Sequence, residues 1–196
     1  MLKGLALSMH NYHDTYGKLP PAVVYGKDGR PLYSWRVLLL PFLEQRKLYD
    51  DFHLDEPWDS PHNIKLLPRI PFDYIPPGSR RKLVPLGYTF CHVFVGQGTP
   101  FEEGRAITLK DISQADGTSN TLLLVEGGPP VPWTKPEDIG FAPDKPLPKL
   151  NTVFEDGFRA SLVDGSSFFV TARASDEAIR AAITWNGGER IPLPDR

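Results

Sequence analysis

His10, His13 and Asp14 stand close together near the start of the chain. If the segment is a helix, spacings of three and four bring such side chains to one side. Two imidazoles and a carboxylate are a donor set for zinc or a similar metal. The plainer reading is an exposed pair between His10 and Asp14, with His13 packed at the helix end. Three ligands on one short helix rarely close a coordination shell alone. His53 and His62 lie too far along the chain to be assigned as a fourth ligand. Asp116, Thr118, Ser119 and Asn120 form a loop of oxygen side chains, and Asp55, Glu56 and Asp59 form another beside Trp58. Calcium is the ion such oxygens would take. Against it stands an Asx turn, in which Asp and Asn bond nearby backbone and Gly117 takes the unusual φ. Neither loop has the regular spacing of a dedicated calcium site, so the Asp116 loop is expected to be structural.

The tryptophans are the other candidates. Trp35 and Trp185 fall on helical apolar faces and are expected in the core. Trp58 and Trp133 lie in proline-rich loops, with Asp59 and Lys135 close in sequence, and are expected to be free. A Trp flanked by acids and amides is one way to hold a sugar or small polar solute. Trp58, Asp59, Trp133 and Lys135 are therefore the candidate ligand-binding residues. Catalytic residues are not assigned. Cys91 sits within an apolar strand pattern, where a buried thiol is the default. Ser166 and Ser167 follow a turn with no nucleophile-elbow pattern. No phosphate loop, dinucleotide fingerprint or metalloprotease helix motif is present. The expectation is a protein that is not an enzyme and that needs no cofactor, calcium being the one ion worth testing.

The elements that must position these residues follow from periodicity. Leu2, Leu5, Met9, Tyr12 and Tyr16 recur at spacings of three and four, one stripe of an amphipathic helix, with Lys3, His10, Asn11 and Asp14 off it. Gly17 supplies a left-handed stop and Pro20-Pro21 forbids continuation. The pattern is already in phase at Leu2 without a cap at Met1, so this helix is expected to be the end of a longer one. Asp28-Gly29 reads as a turn and Ser34 as a helix cap. Trp35, Leu38, Leu39, Phe42, Leu43 and Tyr49 make an apolar helical face, which Pro41 should kink or break. Ser60-Pro61 opens a short third helix through Leu67. Pro68 to Pro85 reads as an irregular surface excursion carrying the basic run Arg80-Arg81-Lys82.

Strands follow. Around Tyr88 to Val95 both alternating faces are apolar, the pattern of a central strand covered on each side. TLLLVEG is a buried strand, and PPVPWTKPEDI is expected to be irregular because its prolines deny ladder hydrogen bonds. Asp164-Gly165 marks a hairpin between two strand-like flanks. Ser175 caps a last helix bearing Ala178, Ile179, Ala182, Ile183 and Trp185, ended by Gly187-Gly188, with RIPLP as a closing edge strand. The order predicts an α+β fold. It is read as one domain over 1–196: helix 1–17, helical insertion about 34–67, sheet region about 86–171, and C-terminal helix about 175–186. With 196 residues and 40% hydrophobic content, the chain can bury a core. A net charge of −2 gives no case for nucleic acid. The lone Cys91 excludes an intrachain disulfide. No run of apolar residues is long enough to span a bilayer.

The helix ending HNYHDTYGKLPPA resembles the end of the long first helix of type II secretion major pseudopilins. Together with SWRVLLLPFLEQ, LYDDFHLDEPWDSPHN and DGTSNTLLLVE, it resembles the bacterial family called domain of unknown function 1559, or solute-binding protein family 10. The resemblance implies a pilin-like fold, with the N-terminal helix laid on an antiparallel sheet. It also implies a prepilin-type N-terminal segment before Met1, a membrane-anchored extracytoplasmic place in periplasm or at the cell surface, and no nucleic acid. The partners it implies are other pilin-like subunits or a secretion or filament assembly; the second family label implies a small polar solute or glycan. Major pseudopilins bind calcium in a late loop. The resemblance also implies a His separated by nine residues from the Asp of the final hairpin; here that place is Phe154.

Overall fold

The computed structural model describes residues 1–76 and 78–189. Helix α1 (Leu2–Tyr16) buries Leu2, Leu5, Ala6, Ser8, Met9 and Tyr12. Gly17 ends it in the left-handed region at φ 72°, donating its N–H to the His13 carbonyl at 2.7 Å. Four of the five expected stripe residues are in the core, but Tyr16 is 58% exposed. The last turn projects past the core, and the Tyr16 ring leans on Tyr12 instead, 4.5 Å between centroids.

A short hairpin follows, β1 (Val23–Tyr25) and β2 (Pro31–Ser34), turned by Gly29 at φ 78°. Ser34 caps α2 (Trp35–Leu38) by accepting the Arg36 N–H. The apolar run then breaks at Pro41 as expected: a 3₁₀ turn spans Leu40–Leu43, and α3 (Arg46–Asp50) restarts beyond Glu44, which sits at φ 58°. The third helix is 3₁₀, over Asn63–Arg69, with Ser60 Oγ accepting the Asn63 N–H at 3.1 Å. The excursion after it is also built of 3₁₀ turns, Phe72–Tyr74 and Gly78–Leu83, with Arg81 and Lys82 exposed.

The main sheet has four antiparallel strands in the order β3 (Tyr88–His92), β5 (Leu122–Pro132), β7 (Gly157–Leu162), β8 (Ser167–Thr171). A parallel pair, β4 (Phe94–Val95) with β6 (Ile139–Gly140), lies apart from it. Between them α4 (Leu109–Gln114) starts on a capping box of Thr108 and Asp111. The fold is α+β, with the N-terminal helix packed against β5 and β7.

Two strand expectations change. β3 is an edge strand, not a central one. Its faces are nevertheless covered: Cys91 belongs to the core under α1, while Phe90 packs with Val153 and Phe154. Burial of both faces therefore did not require a strand on both sides. The proline stretch is partly regular, because β5 continues through Pro132. Beside β3 the register jumps from Cys91↔Glu126 to Thr89↔Val131, so Gly127 to Pro130 bulge out of the ladder. There the missing proline donors cost nothing. A Cβ on Gly127 would run into the Leu150 carbonyl oxygen, so the bulge also needs its glycine.

The Asp164-Gly165 hairpin joins β7 to β8 with Gly165 at φ 84°. Ser175 caps α5 (Asp176–Ile183) by accepting the Ala178 N–H. That helix ends at Thr184, which turns extended, ahead of Gly187-Gly188. The strand expected over RIPLP lies outside the described residues. One core joins α1, the helical insertion and one side of the sheet. A second joins the other side to α5, through Leu122, Val125, Phe158, Leu162 and Val170.

Leu5 is fully buried on α1 and Leu7 is 62% exposed. Leu5→Ala should cost about 2–5 kcal/mol of unfolding free energy in a urea titration, and Leu7→Ala no more than about 0.5 kcal/mol. Comparable losses for the two would mean that α1 packs by another face.

Candidate functional site

The polar side chains of the helical insertion are used to build the chain. Asn63 is fully buried. Its amide donates to the carbonyls of His53 at 2.9 Å, Pro57 at 3.1 Å and Glu56 at 3.3 Å, and its oxygen accepts the His53 N–H at 3.0 Å. One side chain thus ties the whole loop His53–Pro57. The His53 and His62 rings stack at 3.5 Å, His53 bonds Glu56 at 2.9 Å, and His62 bonds the Asp51 carbonyl at 2.8 Å. The Ser60 hydroxyl and the His53 ring hold the Glu56 carboxyl below its usual range. The loop so fixed presents Trp58, whose N–H reaches the Leu32 carbonyl at 2.6 Å.

Trp58 is half-buried and Asp59 is exposed. Lys135 comes to them from the far side of the chain, its ammonium 6.0 Å from the Trp58 ring centroid and paired with Glu137. So Trp58, Asp59 and Lys135 share one surface. Trp133 does not. It was expected free in a loop but is fully buried, donating its Nε1–H to the Leu67 carbonyl at 3.0 Å and packed against Tyr74 and Phe52. Its loop is held down because β5 runs to Pro132 beside it, and a tryptophan there fills the core beneath the 3₁₀ turns.

The expected metal ligands are separated. His10 Nε2 meets the Val163 carbonyl at 2.7 Å, while His13 Nε2 accepts the Leu109 N–H at 3.2 Å. Asp14 lies 3.8 Å from His13 rather than pairing with His10. Each imidazole thus anchors α1 to a different loop, and His10, off the apolar stripe, faces protein rather than water. Among the described residues no three His, Cys, Asp or Glu side chains are placed to hold a metal ion. The Asp116 loop does not fit calcium either. Both carboxylate oxygens accept backbone N–H groups, Gly187 at 2.8 Å and Gly188 at 2.9 Å. Asn120 turns its amide N–H to the Asp116 carbonyl at 2.7 Å. Donors fill the places a cation would need.

Sequence reasoning missed the most buried charges. Arg36 and Asp138 form an ion pair at 2.7 Å with side chains 0% and 1% exposed. Arg36 also donates to the Cys91 carbonyl at 2.9 and 2.6 Å and to Ser34 Oγ at 2.7 Å. Asp138 accepts from Trp35 Nε1 at 3.1 Å and from the Val93 N–H at 3.0 Å. His92 lies beside the pair, Nδ1 3.6 Å from Asp138, with Nε2 donating to the Pro129 carbonyl at 2.8 Å. A signal existed: an arginine inside the apolar run WRVLLL has no exposed helical face to occupy. Arginine, histidine and aspartate together look catalytic, but every member is sealed from solvent and bonded to backbone. The cluster is a structural joint. Cys91 beside it is equally inert, its thiol pushed up to about 12 by burial and by the charge of Glu126.

Phe154 packs edge-on against Phe169 at 5.5 Å and carries the Arg159 guanidinium at 5.1 Å. The described residues also leave open depressions, among them two of similar size. One is an apolar groove of about 310 Å³ between Lys18–Tyr25 and Pro100–Ile107. The other, of about 290 Å³, lies at the start of α1.

Two tests separate structural from functional roles. Asn120→Ala and Gly117→Ala should each cost about 1–2 kcal/mol in denaturant unfolding, through a lost buried hydrogen bond and through strain at the Gly117 φ of 94° respectively. An unchanged midpoint with loss of some binding activity would make this loop the site. Burial also pushes the hydroxyls of Tyr12 and Tyr33 up to about 12. These groups and Cys91 favour the folded state while protonated. Their contribution is whole below the ordinary thiol and phenol values and is lost as pH rises through the folded ones, so stability should decline steadily above about pH 9. Alkylation of Cys91 at pH 8 should be about a thousandfold slower in the folded than in the unfolded protein. Equal rates would place the thiol at the surface.

No curated protein and no solved structure matches the chain. Among the described residues no helix is long and apolar enough to cross a membrane. Residues 1–73, covering α1 and the helical insertion with its Asn63-tied loop, match the family SBP_bac_10, a protein of unknown function (DUF1559), the same family that the sequence motifs resemble.

Proposed function

We propose that this chain is a non-enzymatic, pseudopilin-like domain that works outside the cytoplasm, anchored or assembled through a hydrophobic helix running into α1. The observation that carries the reading is the placement of α1, one amphipathic helix laid on β5 and β7 of an antiparallel sheet and closed at its far end by Gly17. The inward use of the acid–base side chains agrees with it. Arg36, His92 and Asp138 are sealed, and Asp116 and Asn63 bond backbone. Its partners would be other pilin-like subunits of a secretion or filament assembly. The test is to express the complete gene in a bacterial host and fractionate the cells. The expected product sits in the membrane fraction and is cut by protease added outside the cytoplasmic membrane. A product confined to the soluble cytoplasm would overturn the reading.

A second reading, a solute- or glycan-binding module, is favoured by the shared surface of Trp58, Asp59 and Lys135. A half-buried indole beside an acid and an ammonium offers an apolar contact and polar contacts to a sugar. A panel of sugars at millimolar concentration should then raise the melting temperature, and Trp58→Ala should remove the rise. A flat response across the panel would retire this reading.

A further inference from the structure

The depression at the start of α1 has the features of a built binding site. Its floor is a cross-strand row, Glu126 on β5 opposite Arg159 on β7 opposite Phe169 on β8. Residues in register on neighbouring strands point to the same face, so the three side chains line one surface. Met1, Leu2 and Lys3 close the side above them, and Ser167 lies along the far wall. The volume of about 290 Å³ lies at the small end of ligand pockets, fit for a metabolite rather than a polymer.

The charges inside are arranged by depth. The Glu126 carboxylate is at the bottom, 1% exposed, and Arg159 stands at the mouth, 45% exposed, with Nη1 3.7 Å from Glu126 Oε2. Among the described residues Ser167 Oγ is buried with no hydrogen-bond partner. A carboxylate taken out of water is costly and is held by nearby positive charge. A simple anion entering this pocket would meet Glu126, and a simple cation would meet Arg159 and Lys3, which also lines it. A molecule with an ammonium and a carboxylate a short distance apart meets neither conflict.

We propose that this cavity binds a small zwitterion of the free amino acid class. The ammonium faces Glu126 and Ser167 Oγ, the carboxylate takes the Arg159 guanidinium, and the side chain lies against Phe169. Arginine is suited to the outer position because its planar fork matches a carboxylate with two parallel hydrogen bonds. The surface of Trp58 plays no part.

The experiment is thermal melting of the protein with each common amino acid at millimolar concentration, followed by calorimetry on the best responder. At about one hundred times Kd the melting temperature should rise by about 5–10 °C. The N-acetyl and methyl ester derivatives of the same amino acid, each lacking one charge, should bind at least about tenfold more weakly. Arg159→Gln and Ser167→Ala should also weaken binding. Both positions are partly open, so these variants test the site even if Glu126→Gln fails to fold. No rise with any amino acid, equal binding of the blocked derivatives, or unchanged affinity in Arg159→Gln would each overturn the proposal and leave Glu126 and Arg159 as a structural pair.

Discussion

The buried Arg36–Asp138 ion pair is the constraint on which the rest of this structure depends. Arg36 belongs to the helical insertion, Asp138 to the segment entering β6, and both reach the β3–β4 edge through the Cys91 carbonyl and the Val93 N–H. Three separate stretches of chain therefore meet at two side chains. Charges this deep are tolerable only when every donor and acceptor is answered. Here the answers come from backbone and from Ser34, Trp35 and His92. That need fixes the geometry around it. Trp35 must place its indole N–H on Asp138, Tyr74 hydrogen-bonds the Arg36 carbonyl at 3.0 Å, and Trp133 stacks on Tyr74 at 5.9 Å.

The same logic explains where the polar residues went. A chain with many prolines and short 3₁₀ turns leaves numerous backbone groups without a helix or sheet partner. Asn63, Asp116, His10, His13 and His62 each meet one or more of those groups. Residue types that look like metal ligands or acid–base catalysts are, in this fold, the supports of irregular backbone. Open features among the described residues include the surface around Trp58 and Lys135, the groove between Lys18–Tyr25 and Pro100–Ile107, and the cavity holding Glu126 and Arg159.

Local signals were legible in the sequence wherever the cause was local. The α1 stripe, the Gly17 stop, the break at Pro41, the Ser34 and Ser175 caps and the Asp164-Gly165 hairpin all depend on residues within a few positions of each other. Errors arose where the cause was distant. Trp133 looked free because its prolines hide that β5 continues, and β3 looked central because non-strand segments cover its faces. The ion pair joins residues 36 and 138, and the cavity joins three strands to a helix start. No periodicity records such meetings. The nearest hint was an arginine with no polar side of a helix to stand on.

The claim that the ion pair is the joint between insertion and sheet is tested most directly by a double-mutant cycle on Arg36→Met and Asp138→Ala, read by denaturant unfolding. Removing either partner leaves the other charge buried alone, and each single variant should lose about 3–5 kcal/mol. The double variant should lose scarcely more than one of them, so the coupling should be nearly as large as one single loss, about 3 kcal/mol or more. Losses that add to within about 0.5 kcal/mol would contradict the account, because the two side chains would then stabilise the fold independently.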